Sequence, residues 1–451
     1  RNQFGSRPRS SCDPVPSLSG HRFSAMLSRA LALSSRRAER GSRVLASRGL
    51  ASLASLSDRT PVIVSFARTP IGRFNGALAG LTAPRLAAAA VRGAVERAGL
   101  SIEGDGASID EAFLGNVVAA GMGQAPATQA VIFAGLPNTI PTTTVNKVCA
   151  SGMKTIMLAA DAITLGRAEI VLAGGFESMS STPHYMPSLR GGVKLGETKI
   201  IDGIVHDGLW DVYSNIHMGS CAELCAAEYG IDRAAQDAFA RTSYERALSK
   251  AALEMAAKQI VPVEVPAGRG KTITVATDEE PGASNLEKMA SLRPAFKKDG
   301  TVTAANASKI NDGAAAVVVM SATEARRRGL KPLAAIRGFA DAQQAPEWFT
   351  TAPAKAVPKA VANAGLVMSD MKLHEVNEAF SVVGLANSKL LDLEAEAVNV
   401  HGGAVALGHP IGCSGTRIVG HLADLLSAKG VSYGTASICN GGGGASAIVL
   451  E

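Results

Sequence analysis

Two side chains in the sequence lie where nucleophilic and acid–base chemistry is favoured. Cys149, in VNKVCASG, precedes a predicted helix that starts near Ser151. Unpaired amides and the positive end of a helix dipole favour a thiolate at that position, so Cys149 is a candidate nucleophile. His409, in ALGHPIGCSG, lies in a loop that leads into another predicted helix and is a candidate general base. The ordinary alternatives are a cysteine packed in the core and a histidine without a chemical role.

A second cysteine stands directly before a glycine run: CNGGGGAS extends from Cys439 to Ser446. Glycine gives up side-chain packing, so four in a row suit a place where the backbone approaches a ligand closely or adopts positive φ. Free amides of these glycines could form an oxyanion hole beside the thiol. A plain glycine-rich turn is the alternative.

An amide side chain is a third candidate. Asn377, in EVNEAF, stands with Glu378 at the end of a predicted apolar strand. An amide at a strand end suits the binding of a water molecule or an oxyanion. Capping of a helix is the ordinary alternative for Asn377.

The elements that must position these groups alternate between strand and helix. PVIVSFAR and AEIVLAGG read as buried strands, and APRLAAAAVRGAVERAGL reads as a helix. SGMKTIMLAADA, starting at Ser151, is similar to SGTRIVGHLADL, starting at Ser414, and a short apolar strand follows each. Such internal similarity predicts two related α/β halves, with the Cys149 helix in one and the Cys439 strand in the other.

The basic charge of the chain is concentrated in its first part. The net charge of the 451 residues is +6, but residues 1–57 hold ten arginines and only two acids, which leaves 35 basic and 37 acidic residues for 58–451. A folded part with this balance has no general attraction for nucleic acid. No apolar run approaches the ~18 residues of a membrane span, so a membrane partner is not predicted either. The Arg-, Ser-, Ala- and Leu-rich leader is typical of a mitochondrial transit peptide, with a disordered tail and a cytoplasmic protein as the alternative.

The other cysteines predict packing rather than metal binding. The chain has six cysteines without a C-x-x-C pair, so a metal site of the usual spacing is not predicted. Cys221 and Cys225 share one face of a predicted helix, which indicates buried apolar thiols.

Together, NKVCASGMK, NEAF, GHPIGCSG and CNGGGGAS, in this order and spacing, resemble the thiolase family over about Thr60 to Glu451. HMGSCAE and TVTAANAS resemble its acetoacetyl-CoA branch. The resemblance implies an α/β thiolase fold, in which two similar αβα halves form a five-layered αβαβα core with an inserted loop domain. The expected parts are a leader (1–57), the N-terminal half (58–180, completed by 309–331), the loop domain (181–308) and the C-terminal half (332–451).

The resemblance implies a reversible Claisen condensation of two acetyl-CoA molecules to acetoacetyl-CoA and CoA through an acetyl-cysteine intermediate. Cys149 is then the nucleophile, activated by His409, and Cys439 is the acid or base for the α-proton. Asn377 holds a water that, with His409, stabilises an enolate or thioester oxygen. The amides of Cys149 and Gly441 form a second oxyanion hole.

Ligand contacts are implied in the same way, with coenzyme A or acetyl-CoA as substrate and no redox cofactor. The implied CoA-binding residues are Leu209, Tyr213, His217, Lys288, Ser308, Ala379 and Phe380. A potassium ion, which short-chain mitochondrial members bind, would lie at Tyr213, Ala304, Ala305, Ala307 and Val405. Family members are dimers or tetramers, so a homodimer or homotetramer is expected.

Three other functions stay open at this point. A longer-chain 3-ketoacyl-CoA thiolase of fatty-acid β-oxidation would share the reactive residues. A decarboxylating ketoacyl synthase would need a histidine or asparagine where Cys439 stands, so the sequence disfavours it. A non-catalytic CoA-binding protein would tolerate the loss of Cys149 or His409, and both are present. His401 and Cys413 depart from the family's usual residues, and Cys413 is interpreted as packing.

Overall fold

A computed structural model describes residues 53–102 and 108–451, which belong to one compact unit. The predicted transit peptide lies outside the described residues, apart from 53–57. Those few residues contact the fold, because the guanidinium of Arg326 donates hydrogen bonds to the carbonyls of Leu53 and Leu56. Among the described residues, none of the helices is both long and apolar enough to span a membrane.

The described residues form strands and helices in alternation, as the sequence predicts. The strands are β1 (Pro61–Arg68), β2 (Gly72–Arg73), β3 (Glu111–Gly115), β4 (Thr142–Val145), β5 (Ile170–Ser178), β6 (His184–Tyr185), β7 (Ile201–Asp202), β8 (Trp210–Asp211), β9 (Ile216–His217), β10 (Val263–Pro266), β11 (Thr272–Val275), β12 (Asn311–Ser321), β13 (Ala334–Gln343), β14 (Leu373–Val376), β15 (Gly434–Asn440) and β16 (Gly444–Leu450). The α-helices are α1 (Ala83–Arg97), α2 (Pro126–Phe133), α3 (Ser151–Thr164), α4 (Met218–Tyr229), α5 (Arg233–Ala247), α6 (Lys250–Gln259), α7 (Glu280–Ala283), α8 (Ala322–Arg327), α9 (Pro353–Asn363), α10 (Ser381–Leu391), α11 (Ala404–Leu407) and α12 (Ser414–Lys429).

The large sheet consists of two half-sheets joined edge to edge. Its strand order is β14-β15-β16-β13-β1-β12-β5-β3-β4, and β2 pairs with β12. Only two residue pairs, Val62 with Ala335 and Ile63 with Ala334, connect β1 to β13. Strands β1, β3, β4, β5 and β12 therefore form the N-terminal half-sheet, and β13–β16 form the C-terminal one.

Side chains of β12 alternate between two separate parts of the core. Ala314, Ala316 and Val318 pack with α1 and α2 on one face, whereas Val317 and Val319 pack with α3 and α12 on the other. A strand that is buried on both faces needs an apolar run without polar alternation, which explains GAAAVVVM. In the C-terminal half, alternate residues of β16 pack against α9 and against α12 in the same way.

The layers are therefore α1 and α2, the N-terminal half-sheet, α3 and α12, the C-terminal half-sheet, and α9. This confirms the predicted α/β fold with five layers. Between β5 and β12 lie the short elements β6–β11 and helices α4–α7, in the region where an inserted loop domain is predicted. The domain boundaries given above stay a prediction.

The internal sequence repeat corresponds to the two central helices, which begin at Ser151 and Ser414 as predicted. They cross at very short range. A Cβ atom on Gly152 would lie 2.6 Å from Thr416 Oγ1, and one on Gly415 would lie 2.4 Å from Met153 N. Glycine is required at this crossing because any side chain would push the helices apart.

We expect Gly152→Ala to destabilise the protein, because the added methyl group has no space between α3 and α12; overpacking of this kind costs about 1–3 kcal/mol. Urea unfolding followed by circular dichroism would measure the shift of the midpoint. Gly282→Ala in α7 is the matched control, because a Cβ there meets no atom within 4 Å. Equal midpoints for the two variants would contradict the tight crossing.

Candidate active site

Cys149 lies in a strained turn between β4 and α3. Val148 has φ +48°, a conformation that is rare for a β-branched residue. The Ser151 hydroxyl holds the turn, because its oxygen accepts from the Lys147 amide at 2.8 Å and it donates to the Val148 carbonyl at 2.6 Å. The turn fixes the thiol two residues before the first turn of α3.

The expectation that the helix start favours a thiolate is wrong for the ligand-free site. Burial, and to a smaller extent the nearby Glu177, raise the pKa of the Cys149 thiol to about 11. The amides of Gly441 and of Cys149 itself contact the sulfur and lower the pKa, but they do not offset burial. Cys149 is therefore a thiol at neutral pH and needs a base when it attacks.

The glycine run forms the tight loop between β15 and β16, in which Asn440 pairs with Gly444. Gly442 and Gly443 have φ +83° and +85°, which explains glycine at these two positions. At Gly441, by contrast, a Cβ would be no closer than 3.5 Å to Val148, an ordinary contact. The function of residue 441 is therefore its amide, which lies at the Cys149 sulfur.

Cys439 is the last but one residue of β15 and is fully buried. Its side chain packs in an apolar cluster with Met218, Phe349 and Phe380. Burial, and then the negative charge that Cys149 can carry, raise the pKa of Cys439 well above its ordinary value. Both cysteines are free thiols.

His409 is buried in the loop before α12, and its hydrogen bonds define its tautomer. The Ser414 hydroxyl donates to the Pro410 carbonyl at 3.0 Å, so its oxygen accepts from His409 Nδ1–H at 2.6 Å. The lone pair is then on Nε2, which lies 3.5 Å from Asn377 Nδ2. Burial, and then Arg417, lower the pKa of His409 to about 3, so the ring is neutral and can accept a proton at Nε2.

Asn377 follows β14 directly, and its backbone N–H donates to the Ser437 carbonyl at 2.9 Å. Its side-chain oxygen is fully buried and has no hydrogen-bond partner. A buried acceptor of this kind calls for a water or ligand donor. Helix capping, the ordinary alternative, does not apply, because the N-cap of α10 is Phe380 and no side-chain bond caps that helix.

Glu177 is a buried acid near Cys149 that no sequence motif indicated. Its carboxylate is completely buried at the end of β5 and accepts hydrogen bonds from the amides of Val117 and Val118 at 3.1 and 3.2 Å and from Gly412 at 3.0 Å. It also accepts from the Asn116 side chain at 2.8 Å. The carboxylate thereby joins the 116–118 loop of the N-terminal half to the His409 loop. No sequence motif marks it, because its partners are backbone amides that only the fold brings together.

Cys149, His409 and Gly441 line one cavity of about 260 Å³. Of the residues expected to contact CoA, Leu209, His217, Ser308, Ala379 and Phe380 line the same cavity. Tyr213 and Lys288 are exposed and are not among its lining residues.

The His217 ring is held for ligand binding at the cavity wall. Its Nδ1 accepts from the Gly219 amide at 3.0 Å, which leaves Nε2–H as a donor. Phe296 stacks on the ring with centroids 4.8 Å apart. Phe296 was not predicted, because it belongs to an irregular segment without a recognisable pattern.

The residues assigned to a potassium ion are used differently in the structure. The carbonyls of Ala307 and Val405 accept hydrogen bonds from the Lys309 ammonium at 3.2 and 2.8 Å. Tyr213 is 77% exposed. Ala304 lines a neighbouring cavity, and Ala305 packs against a small apolar cluster that includes Val405. These positions therefore do not form a ready set of free carbonyl ligands.

Among the described residues, the remaining cysteines are Cys221, Cys225 and Cys413, and all three are buried. Cys221 and Cys225 on α4 pack in an apolar cluster, which confirms their predicted role. Cys413 packs in the central core between the half-sheets, as interpreted. His401 contacts the His421 ring edge-on, with centroids 5.3 Å apart.

We expect alkylation of Cys149 by iodoacetamide to accelerate about tenfold per pH unit between pH 7 and 9 without a plateau, because only the thiolate reacts and its pKa is raised. Intact-mass spectrometry of a Cys12→Ser protein would give the rate, with Cys149→Ser as the blank. Glutathione, whose thiol has an ordinary pKa, is the control, because its alkylation rate should begin to level off as the pH approaches that pKa. A plateau below pH 8 for Cys149 would contradict the raised pKa.

Comparison with known proteins agrees with this geometry. Cytosolic acetyl-CoA acetyltransferase of Gibberella zeae is 53% identical over 86% of this chain and 97% of its own length. Mitochondrial acetyl-CoA acetyltransferase of Danio rerio is 51% identical over 86% of this chain and 91% of its own. The crystal structure of the Acat5 thiolase of Ascaris suum in complex with coenzyme A superimposes with a TM-score of 0.81 at 42% identity, covering 87% of this chain and 99% of that one.

Two family models match in sequence order. Residues 61–323 match the thiolase N-terminal domain, and residues 330–451 match the thiolase C-terminal domain. The two matches correspond to the two halves of the fold. The chain belongs to the thiolase family.

Proposed function

We propose that the protein is an acetyl-CoA C-acetyltransferase that reversibly condenses two acetyl-CoA molecules to acetoacetyl-CoA and CoA. The observation that carries the proposal is the cavity lined together by Cys149, by His409 with its unprotonated Nε2, and by Gly441. The names of the relatives and the CoA bound by the Ascaris protein support acetyl-CoA as the substrate.

In the first half-reaction the Cys149 sulfur attacks the thioester carbonyl of acetyl-CoA while His409 Nε2 takes its proton. The carbonyl oxygen becomes negative and is stabilised by the amides of Cys149 and Gly441. The tetrahedral intermediate then releases CoA, which recovers the proton from His409. The products are acetyl-Cys149 and free CoA.

In the second half-reaction the Cys439 thiol passes its proton to the neutral His409 Nε2, and the resulting thiolate removes the α-proton of a second acetyl-CoA. The enolate oxygen is stabilised by His409 and by a water held by Asn377. The carbanion attacks the carbonyl of acetyl-Cys149, and Cys149 leaves as a thiolate that takes the proton from His409. Cys439 keeps the α-proton, so both cysteines are thiols again. Acetylation removes the charge that Cys149 can carry, one of the causes that raise the pKa of Cys439, so forming the Cys439 thiolate costs less in the acetyl-enzyme.

A longer-chain 3-ketoacyl-CoA thiolase is the second candidate. The buried side chains of Met218 and Phe349 line the cavity next to the reactive groups. Large side chains there favour a short acyl group. The proposed function therefore keeps acetoacetyl-CoA as the substrate.

A potassium ion is not part of the proposed function. Two of the carbonyls assigned to it accept hydrogen bonds from Lys309, and the exposed Tyr213 is not directed into the fold. The residues present do not fit the ion.

For assembly, we propose a homodimer or homotetramer. Leu189, Leu195 and Ile200, between β6 and β7, are largely exposed apolar side chains of the kind that a subunit interface can cover. Light scattering of the purified protein would give the subunit number, and a monomer would contradict the proposal.

We propose the mitochondrial matrix as the location, with the cytoplasm as the alternative. The Arg-rich leader supports it, and the relatives include a mitochondrial and a cytosolic enzyme. Residues 1–57 fused to a fluorescent protein are expected to direct it to mitochondria. A fusion with the ten arginines replaced by glutamine is the control, and cytoplasmic fluorescence of both fusions would exclude the matrix.

We expect brief exposure to acetoacetyl-CoA, without free CoA, to add one acetyl group to the wild-type protein. Cys149→Ala should gain none, because the acyl acceptor is lost. Intact-mass spectrometry after reduction of the thiols measures the adduct. Absence of an adduct on the wild type would exclude the covalent mechanism.

The same measurement separates the two thiolase candidates. The initial rate of acyl transfer from acetoacetyl-CoA should exceed that from a 3-ketoacyl-CoA with a long chain at equal concentration. Cys221→Ala changes a buried thiol outside the cavity. It is the control that shows how far a change in folding alone alters the two rates. Faster transfer from the long chain would favour the β-oxidation enzyme.

A further inference from the structure

Lys309 is a cationic side chain at the cavity wall for which the proposed reaction has no use. It lies just before β12 and is partly buried. It lines the cavity shared by Cys149 and His409, and the adjoining cavity next to Ala304.

Each of the three ammonium protons of Lys309 has an acceptor. These are the Ala307 carbonyl, the Val405 carbonyl and the Tyr244 hydroxyl. The ammonium also lies 5.0 Å from the centroid of the Tyr244 ring. An ammonium group has three donors, so its hydrogen-bonding capacity is fully used.

The two carbonyls belong to segments that shape the candidate site. Ala307 pairs with Phe380 in an isolated bridge, and the neighbouring Ser308 donates to the Ala379 carbonyl, so this segment supports the expected CoA wall. Val405 lies in α11, four residues before His409. Lys309 therefore links the CoA wall to the segment that carries the base.

The surroundings of the ammonium favour its charged form against the effect of burial. Burial lowers the pKa of Lys309 to about 8, while Glu280 on α7 and Glu378 after β14 raise it. Arg73 on β2 is paired with Glu280 at 3.6 Å, and Tyr244 on α5 has a raised pKa and stays neutral. The three acceptors and the tyrosine ring around Nζ are the partners that a cation requires.

A potassium ion and an ammonium group ask for the same partners, because both are monovalent cations that backbone carbonyls and hydroxyl oxygens surround. We propose that Lys309 is a built-in monovalent cation, which links the 307–308 segment to the 405–409 segment and makes a bound potassium ion unnecessary in this protein.

The test compares thermal unfolding in KCl and in NaCl at equal concentration for three proteins. The wild type is expected to show the same midpoint in both salts. Lys309→Ala removes the cation and opens space. In NaCl it should unfold about 2–4 °C below the wild type, and in KCl it should regain most of that loss. Lys309→Met, which fills the space with an apolar chain, should lose stability in both salts.

Lys250→Ala is the matched control, because this lysine is 89% exposed on α6 and its ammonium lies 3.8 Å from the Glu254 carboxylate, a weak surface ion pair. It should show no preference between the salts. Thiolysis of acetoacetyl-CoA is the second readout, with recovery by KCl expected for Lys309→Ala alone.

Three results would overturn the proposal. They are a wild type stabilised by KCl over NaCl, a Lys309→Ala protein without salt preference, and recovery of Lys309→Met by KCl. If Lys309→Ala does not fold in NaCl, the proposal is still tested by whether this variant folds in KCl and by the wild-type midpoints in the two salts. None of the stability readouts depends on the acyl-transfer activity.

Discussion

The close crossing of α3 and α12 is the contact on which the rest of the structure depends. Gly152 and Gly415 let the two helices approach until backbone and side-chain atoms meet. Cys149 directly precedes one helix and the His409 loop directly precedes the other, so the same contact that holds the halves together brings nucleophile and base to one cavity. Fold and site therefore have a common origin in the internal repeat.

The sequence predicted where the candidate reactive groups lie, because their residue types and local setting carry that information. Cys149 before a helix, His409 in a glycine-flanked loop and Asn377 at a strand end lie where the motifs indicated. The residues that tune them escaped prediction. Glu177 and Lys309 act through backbone amides and carbonyls of distant segments, and Phe296 acts through stacking on His217, so no local pattern marks them. The predicted thiolate was wrong because a sequence shows the helix start but not the burial that outweighs it.

Burial shifts every titratable group of the site toward its uncharged form. It raises the pKa of Cys149 and lowers that of His409, so the ligand-free site holds a thiol and a neutral imidazole. Charge then develops only when a substrate carbonyl becomes available beside the amides of Cys149 and Gly441. In a water-poor cavity such fixed amides stabilise an oxyanion strongly and need little reorganisation. The thiol and the imidazole therefore stay uncharged until a substrate is bound.

The position of β16 in the sheet has a consequence for synthesis of the protein. This strand comes last among the sixteen described ones, yet it lies between β13 and β15 and pairs with both along its length. On the ribosome, β13 and β15 have each emerged before their common neighbour exists, and each exposes an unpaired edge. The C-terminal half must therefore fold after translation has passed Leu450, while the strands of the N-terminal half are already complete. During that interval the edges of β13 and β15 are open to pairing with other chains.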